Sequence, residues 1–359
     1  MKRWHGVFAA FILAVLITGC DKNDSVQGSQ AQSGEEAQSV NNTENSSDEK
    51  SEKALFAMDT YMTLTAYGEH AEEALEVAAD EIQRLDELLS TGNENSEVSL
   101  LNHNGKGTVS EDVAILLESS LELYQSTDGI FDITIYPVMN LWGFPSQEYR
   151  VPAETEIQEV LKNVGSDKLS YDKDTGICTM QEGIAIDFGG IAKGYTSSLL
   201  MDVFKKYGVS SAMVSLGGNV QVLGTKPDGS YWRVAVRNPD GSDAYLGVLE
   251  ISDKAVITSG GYERYFEEQG VIYHHIMDVR TGKPADSDLT SVTIVSGDGT
   301  LADGLSISLF VMGKDGAVDY WRKNADRFDA VLVTEDGKIY VTEGLEEKFS
   351  SDFSYDIVK

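Results

Sequence analysis

Residues 184–194, with the sequence Ile-Ala-Ile-Asp-Phe-Gly-Gly-Ile-Ala-Lys-Gly, contain the strongest structural signal in this chain. The apolar start predicts a strand that ends at Asp187, the paired glycines predict a tight turn, and Lys193 is placed at the start of a helix. Backbone N–H groups at a helix start and a lysine charge favour an anion. The spacing is that of neither a Walker loop nor a dinucleotide fingerprint. The stretch therefore indicates either a phosphate-bearing ligand or a purely structural turn.

Helices and strands are predicted on both sides of this stretch from hydrophobic spacing. The predicted helices are Ala71–Leu89, Glu111–Gln125, Glu154–Asn163, Lys193–Tyr207 with Gly208 after its end, and Leu301–Met312. The predicted strands are Leu64–Tyr67, Ser211–Leu216, Tyr231–Arg237, Gly247–Ile251, Tyr273–Val279, Ser291–Val295 and a hairpin across Asp336-Gly337. This mixture predicts an α+β fold with mainly antiparallel sheets and flanking helices.

Two further glycine-containing segments lie at predicted turns. Gly129-Ile130-Phe131-Asp132 follows Asp128, and Leu141-Trp142-Gly143-Phe144 follows it closely. By itself the first segment fits an Asp-Gly turn that leads into a core strand. The second double glycine, Gly217-Gly218, follows the strand Ser211–Leu216 and fits a ligand-hugging loop or a tight turn equally well.

Further candidate site residues, with hydroxyl, imidazole and carboxyl groups, lie in the C-terminal third. Thr258 and Ser259 precede a double glycine and could hold phosphate or ribose oxygens. His274 and His275 are adjacent on a predicted strand, so at most one of them faces a given site. Either histidine is a candidate base or phosphate contact, or a packing residue. Asp303 either caps its own helix or offers a carboxylate to a divalent cation.

Charge and cysteine content exclude several function classes. The chain has 28 Lys and Arg against 59 Asp and Glu, a net charge of −31. Such a surface repels phosphate backbones, which excludes nucleic-acid binding. The two cysteines, Cys20 and Cys178, are too few for a disulfide framework or a zinc cluster. Cys178 lies in a strand-like stretch, and we expect it to be an inert packing residue.

The N-terminus has the pattern of a targeting segment. Lys2 and Arg3 precede an apolar run that is too short to span a bilayer as a stable helix. The run ends in Leu-Ile-Thr-Gly-Cys20, which resembles the bacterial lipoprotein cleavage box; the alternative is an ordinary secretory signal. Residues 1–19 are thus predicted as a lipoprotein signal peptide, 20–53 as a lipidated cysteine with a disordered tether, and 54–359 as the folded domain. The predicted location is the extracytoplasmic side of the cell membrane, through a lipid anchor.

Taken together, the motifs resemble those of the bacterial FAD:protein FMN transferases, the ApbE-type flavin transferases, over residues 54–345. The matching stretches are Met58-Asp-Thr60, Gly129-Ile-Phe-Asp132, Leu141-Trp-Gly-Phe144, Asp187-Phe-Gly-Gly-Ile-Ala-Lys-Gly194, Gly217-Gly-Asn219, Thr258-Ser-Gly260, His275-Ile-Met-Asp278 with Thr281-Gly282, and Ala302-Asp-Gly-Leu-Ser306. The resemblance implies a two-part α+β fold with a flavin cleft between the parts. It also implies transfer of FMN from FAD to a Thr or Ser hydroxyl of an acceptor protein, with release of AMP.

The resemblance assigns roles to individual residues. The residues implied to line the FAD site are Met58, Ile130, Phe131, Asp132, Asp187, Lys193 and Ile276. Those implied to hold Mg²⁺ are Asp303, the carbonyl of Gly190 and Ser306. Asp303 is thereby implied in catalysis as well, and His275 is the candidate base for the acceptor hydroxyl. The implied acceptors are subunits of membrane redox complexes of the Rnf and sodium-pumping NADH:quinone reductase types.

Two positions depart from the family pattern. Ile307 stands where the family has a threonine that reaches the metal, and Gly92 stands where an aromatic side chain follows Ser90-Thr91. Two alternative functions follow. One is an FAD pyrophosphatase, in which water replaces the acceptor hydroxyl, and the other is a lipid-anchored flavin-binding protein without catalysis.

Overall fold

A mainly antiparallel sheet of nine strands is the centre of the fold in the computed structural model, which describes residues 49–242 and 244–359. In chain order the strands are β1 (Lys50–Ala57), β2 (Thr60–Tyr67), β3 (Lys106–Thr108), β4 (Leu169–Asp172), β5 (Ile177–Met180), β6 (Ser211–Leu216), β7 (Asn219–Leu223), β8 (Trp232–Arg237), β9 (Tyr245–Ile251), β10 (Ala255–Gly260), β11 (Tyr265–Glu268), β12 (Val271–His274), β13 (Met277–Asp278), β14 (Lys283–Pro284), β15 (Leu289–Ser296), β16 (Phe328–Thr334), β17 (Ile339–Thr342), β18 (Phe349–Ser350) and β19 (Asp356–Val358).

Seven α-helices are found in the described part of the chain. They are α1 (Ala71–Leu89), α2 (Glu97–Asn104), α3 (Glu111–Ser126), α4 (Tyr136–Trp142), α5 (Glu154–Leu161), α6 (Ala192–Lys206) and α7 (Gly299–Lys323). Short 3₁₀ helices span Ile133–Ile135, Ser166–Lys168 and Glu343–Leu345. In α7 the helix is interrupted at Gly313, which has the left-handed φ of 73°.

The nine strands follow the order β1-β2-β6-β7-β10-β15-β16-β17-β19, and only the last pair is parallel. Helices α6 and α7 pack on one face of this sheet, and the small sheet β18-β9-β8 packs on the other. Strand β15 is central and is buried on both faces, and it contains aliphatic and Ser or Thr side chains but no charged ones. The arrangement brings the ends of β1–β2, β6–β7 and β10 and the starts of α6 and α7 into one region.

The α+β fold class is confirmed, and several predicted elements have almost the predicted bounds. Helix Ala71–Leu89 is found as predicted because its apolar stripe is continuous, with a buried set that includes Leu75, Ile82 and Leu85. Gly208 follows α6 with φ 76°, as a glycine after a helix end should. The Asp336-Gly337 turn connects β16 and β17 as predicted.

Three local predictions are wrong. Residues 184–186 form no strand; the backbone N–H and C=O of Ile186 bond instead to the side chain of Asn102, at 2.7 and 2.8 Å. The turn at Asp128 leads into a 3₁₀ helix and α4 rather than a core strand. The predicted strand Tyr273–Val279 is broken at residues 275–276, between β12 and β13.

The N-terminal boundary is also earlier than predicted, because β1 begins at Lys50 rather than after residue 53. Residues 1–48, with the predicted signal, Cys20 and most of the predicted tether, lie outside the described residues. Within the described residues no helix is both long enough and apolar enough to cross a membrane. Cys178 lies on β5 with no exposed surface, and burial raises the pKa of its thiol to about 11, as expected of a packing residue.

Candidate functional site

Two tight turns lie side by side at one end of the sheet. Met58 and Asp59 connect β1 to β2 and both have left-handed φ angles, 49° and 59°. Such a conformation costs roughly 1 kcal/mol or more for a residue with a side chain, and strain of this kind is concentrated at functional sites. Gly217 and Gly218 form the neighbouring turn between β6 and β7. A Cβ at Gly217 would lie 2.3 Å from Oγ1 of Thr60, so the two turns are in contact.

Asp303 lies early in α7, and its carboxylate faces the start of α6. One carboxylate oxygen accepts the N–H of Gly194 at 2.8 Å, and the other accepts the side-chain amide of Asn219 at 3.0 Å. Asp303 is only 3% exposed, and burial raises the pKa of its carboxyl, an effect that the nearby Lys193 opposes. The N-terminal end of α6 is thus already matched by an internal carboxylate, which a helix dipole favours.

Asp303 does not cap its own helix. That role belongs to Asp298, whose side chain accepts the N–H of Leu301 at 3.1 Å. The alternative of a simple capping role for Asp303 is therefore wrong, and its carboxylate is available to connect two helices and a strand turn.

The turn before α6, which contains the carbonyl group of Gly190, packs against apolar side chains. A Cβ placed on Gly190 would lie 3.0 Å from Cδ1 of Ile307 and 3.4 Å from the ring of Phe131. The Phe131 ring also reaches Gly304, where a Cβ would lie 3.3 Å away. Phe131, Gly190 and Ile307 are therefore neighbours, next to the turn of α7 that contains Asp303.

The charge of Lys193 acts on several titratable groups around the start of α6. Asp187 precedes it, accepts the N–H of Gly189 at 2.8 Å, and has a pKa that burial raises against the opposing charges of Arg264 and Lys193. Burial and the charge of Arg264 are the main causes that lower the pKa of His275, and Lys193 adds a smaller contribution. Lys193 is half-buried, and Asp187, Asp303 and His275 all lie within the range of its charge.

His275 follows strand β12 and is held by the residue at the other end of the hairpin. Its Nδ1 is 3.2 Å from the carbonyl oxygen of Arg264, and its backbone N–H donates to the same oxygen at 3.0 Å. Burial, with the positive charge of Arg264, lowers the pKa of His275 to about 3. The imidazole is consequently neutral at neutral pH and able to accept a hydrogen bond, but it is a weak base.

Glu263 is a site residue that sequence reasoning missed. Burial raises the pKa of its carboxyl to about 7, although Lys193 and Arg237 oppose the shift, and the charge of Asp303 adds to it. The side chain still has substantial solvent-accessible surface. Glu263 lies between the glycines at the end of β10 and Arg264, which precedes β11. The only local signal was its place beside Thr258-Ser259 and the glycines that follow.

Three predicted site residues have side chains committed elsewhere. Asp132 accepts four hydrogen bonds, from the N–H and hydroxyl of Thr134 and from the N–H and hydroxyl of Ser166, at 2.7–3.0 Å. Ile276 is 2% exposed in the main hydrophobic core. The Ser306 hydroxyl donates to the Asp303 carbonyl and bonds to Ser259, both at 2.7 Å. We find their side chains turned into the protein rather than into the cleft.

Met58 and Ile130 lie at the edges of the site. The sulfur of Met58 is 3.9 Å from the hydroxyl of Thr196 on α6, and Ile130 is half-buried against the main core. Among the described residues, no three His, Cys, Asp or Glu side chains converge as a metal cluster. Asp303 is the carboxylate that connects α6, α7 and the start of β7, and its neighbours are Lys193, backbone groups and apolar side chains.

Known proteins are similar to this chain in sequence and fold over most of its length. The ApbE family matches residues 58–332. A protein of Klebsiella pneumoniae strain 342 named FAD:protein FMN transferase is 32% identical over 283 residues, which are 77% of this chain and 87% of the relative. The crystal structure of an ApbE protein from Thermotoga maritima has a TM-score of 0.77 at 32% identity and covers 84% of this chain and 99% of its own. The Pseudomonas stutzeri flavinyl transferase ApbE has a TM-score of 0.76 at 30% identity, with 85% and 98% covered. By sequence and by fold, this chain belongs to the ApbE family.

Proposed function

We propose that this chain is an FAD:protein FMN transferase. In this reaction the oxygen of a Thr or Ser hydroxyl on an acceptor protein forms a bond to the FMN phosphorus of FAD. The bond from that phosphorus to the bridging oxygen breaks, AMP leaves with the electron pair, and the hydroxyl proton passes to a base. The buried Asp303 carboxylate, joined to the start of α6 beside Lys193, is the observation that carries the proposal.

The residues present fit a magnesium ion with few protein ligands. Mg²⁺ is commonly held by one or two carboxylates, with water and substrate phosphates completing its shell. Asp303 supplies the carboxylate, and each of its oxygens accepts only one hydrogen bond from the protein, so lone pairs remain. The Gly190 carbonyl is the second proposed ligand, whereas the Ser306 hydroxyl is engaged internally. When bound, the cation would offset phosphate charge that an acidic protein cannot.

Lys193 adds the fixed positive charge that a pyrophosphate needs, and Asp187 lies in the same cleft. Met58 and Ile130 contribute apolar surface at its edges, suited to a flavin ring, whereas Phe131 is buried in the main core and packs against Gly190. His275 is neutral and remains the proposed partner of the acceptor hydroxyl. The side chains of Asp132 and Ile276 are bonded or packed inside the protein, so their proposed role is to hold the backbone around the cleft in place.

The proposal includes a location and a class of acceptor. We propose that Cys20 is lipidated, so that the domain is anchored to the extracytoplasmic face of the membrane, where it modifies subunits of Rnf-type or sodium-pumping redox complexes. Expression of the chain and of a Cys20→Ala variant in a bacterial host tests the anchor. The first is expected in the membrane fraction and the variant in the soluble fraction; equal distribution would contradict lipidation.

The reaction itself is tested by intact-mass analysis of an acceptor subunit incubated with the chain, FAD and Mg²⁺. We expect a gain of one FMN residue, no gain with EDTA, and no gain when the acceptor hydroxyl is replaced by Ala. Release of FMN and AMP without modified acceptor would identify a pyrophosphatase, and bound but intact FAD would identify a binding protein.

A further inference from the structure

A two-stranded hairpin projects from the candidate site. Strand β11 begins directly after Arg264, and β12 ends directly before His275, so both of its ends enter the cleft. Its tip is a two-residue turn, Gln269-Gly270, with left-handed φ angles of 55° and 81°. Within the described residues, neither outer edge of the hairpin has a strand partner. Free strand edges are templates for pairing with an extended segment of another protein.

The inner face of the hairpin is firmly anchored. Phe266 stacks on Tyr149 with ring centroids 5.1 Å apart, and it stacks on Tyr273 at 5.2 Å. Tyr273 in turn contacts Trp142 at 5.4 Å. The guanidinium of Arg264 donates to the carbonyl of Phe144 at 3.1 Å, which fixes the base of the hairpin. The hairpin is therefore a preformed surface rather than a loose loop.

The outer face carries two large apolar side chains that have half or more of their surface exposed. The register pairs Tyr265 with His274 and Glu267 with Ile272, so these four side chains share one face. Tyr265 is 50% exposed and Ile272 is 60% exposed. His274 at the base packs edge-on against Phe310. Exposed apolar residues beside a catalytic cleft mark an interaction surface.

The proposed function requires a partner at this place. A protein hydroxyl must reach His275, and the chain that bears it must cross the rim of the cleft. Ile272 lies three residues before His275, which is about 10 Å along an extended strand. A segment that pairs with the hairpin edge would be guided toward the imidazole.

We propose that the outer face of the β11–β12 hairpin, formed by Tyr265 and Ile272, docks the acceptor protein as an extended segment with an apolar side chain close to the target hydroxyl. This inference rests on the proposed transferase function. It assigns acceptor recognition to a surface that is separate from the FAD-binding residues, so the two substrates are expected to respond differently to changes there.

The test compares Ile272→Lys with Phe353→Lys, which alters an exposed apolar residue outside the hairpin, and with the conservative Ile272→Leu. FMN transfer is measured at saturating FAD against acceptor concentration, and the Kd for FAD is measured by flavin fluorescence. We expect Ile272→Lys to raise the KM for the acceptor about tenfold, the scale of a significant interface contact, and to leave the Kd for FAD unchanged. Ile272→Leu and Phe353→Lys are expected to match the unaltered chain.

Each other outcome is informative. An unchanged acceptor KM in folded Ile272→Lys would overturn the docking face while leaving the transferase in place. A loss of self-association in sedimentation, with the acceptor KM unchanged, would assign the face to a second copy of the chain and would also overturn the proposal. Absence of transfer by the unaltered chain would remove both the function and the docking face.

Discussion

The carboxylate of Asp303 and the backbone N–H of Gly194 are 2.8 Å apart, and this hydrogen bond joins α7 to the first turn of α6. Position 194 has no room for a side chain, since a Cβ would lie 2.1 Å from the Gly299 carbonyl oxygen and 2.6 Å from Cβ of Asp303. The close contact between the two helix starts therefore depends on glycine. It fixes Asp303 relative to Lys193 before any substrate binds.

Gly194→Ala is expected to force α6 away from α7. Because the contacted atom is backbone, the strain cannot be relieved by a side-chain rotation, and we expect a loss of about 2 kcal/mol or more in the free energy of unfolding. FMN transfer should fall with it. Urea denaturation and the transfer assay measure both effects. Gly297→Ala is the control, since its Cβ would meet nothing nearer than Nζ of Lys254 at 3.9 Å. Equal stability of the two variants would contradict the close packing.

Asp303→Asn is expected to retain the fold and lose the reaction. An amide can still bond to Gly194 or Asn219 but lacks the charge for a cation, so transfer should fall by about two orders of magnitude or more. Asp298→Asn, on the same helix, retains a good capping group and should transfer FMN normally. The rate of FMN transfer to the acceptor is measured for both variants by intact-mass analysis, and circular dichroism checks that each variant is folded. Normal transfer by Asp303→Asn would exclude Asp303 from the site.

Sequence patterns predicted the elements whose signals are local. The buried stripe of Leu75, Ile82 and Leu85 defines α1 without help from the rest of the chain, and glycine conformations define the turns at Gly208 and Gly337. Local patterns did not decide the role of Asp303, because an acid at a helix start is equally well explained as a cap; only the fold shows that Asp298 caps α7 and that Asp303 bonds to α6.

Features that depend on distant residues could not be predicted in this way. Ile186 reads as a strand residue, but its backbone groups are taken by Asn102, which is far away in sequence. Ser306 reads as a metal ligand, yet Ser259 meets its hydroxyl only in the folded state. Glu263 carries no distinctive local pattern, because the crowding that perturbs its carboxyl comes from other elements. In each case the deciding contact is made by tertiary packing.

Glu263 is expected to give the protein a pH-dependent stability. Its pKa rises from about 4.5 to about 7 on folding, so the folded state holds the proton more tightly. The stabilising contribution is complete below pH 4.5 and is lost as the pH rises through 7. Glu263→Gln has no carboxyl group at this position, so its stability does not fall for this reason as the pH rises. In EDTA, we expect the variant to gain about 1 kcal/mol relative to the unaltered chain between pH 5 and pH 8, a value reduced for solvent screening. Urea denaturation of both proteins at pH 5 and pH 8 makes the measurement. An equal change in the free energy of unfolding for the two proteins between these pH values would contradict the prediction.

Asp132→Asn tests whether Asp132 acts on the fold or on FAD. Its oxygens accept four hydrogen bonds from Thr134 and Ser166, and an amide nitrogen would face at least one donor. We expect a loss of about 2 kcal/mol in the free energy of unfolding. The Kd for FAD, measured by fluorescence where the variant is folded, should change little. A large loss of FAD affinity with normal stability would place the carboxylate in contact with FAD.

Ile307→Thr is expected to strengthen magnesium binding if Asp303 and the Gly190 carbonyl hold the ion. A Cβ placed on Gly190 would lie 3.0 Å from Cδ1 of Ile307, so position 307 is adjacent to the proposed ligands. A threonine would carry a hydroxyl oxygen at the γ position of this side chain, one bond closer to the backbone than Cδ1, and oxygen is the ligand that Mg²⁺ prefers. Isothermal titration with Mg²⁺ alone should show a lower Kd than for the unaltered chain. Ile307→Val is the matched control, because it removes similar volume at a cost of about 1 kcal/mol in stability but adds no oxygen. If the valine and threonine variants bind Mg²⁺ equally, the ion does not reach position 307, and the departure from the family pattern has no effect on the metal.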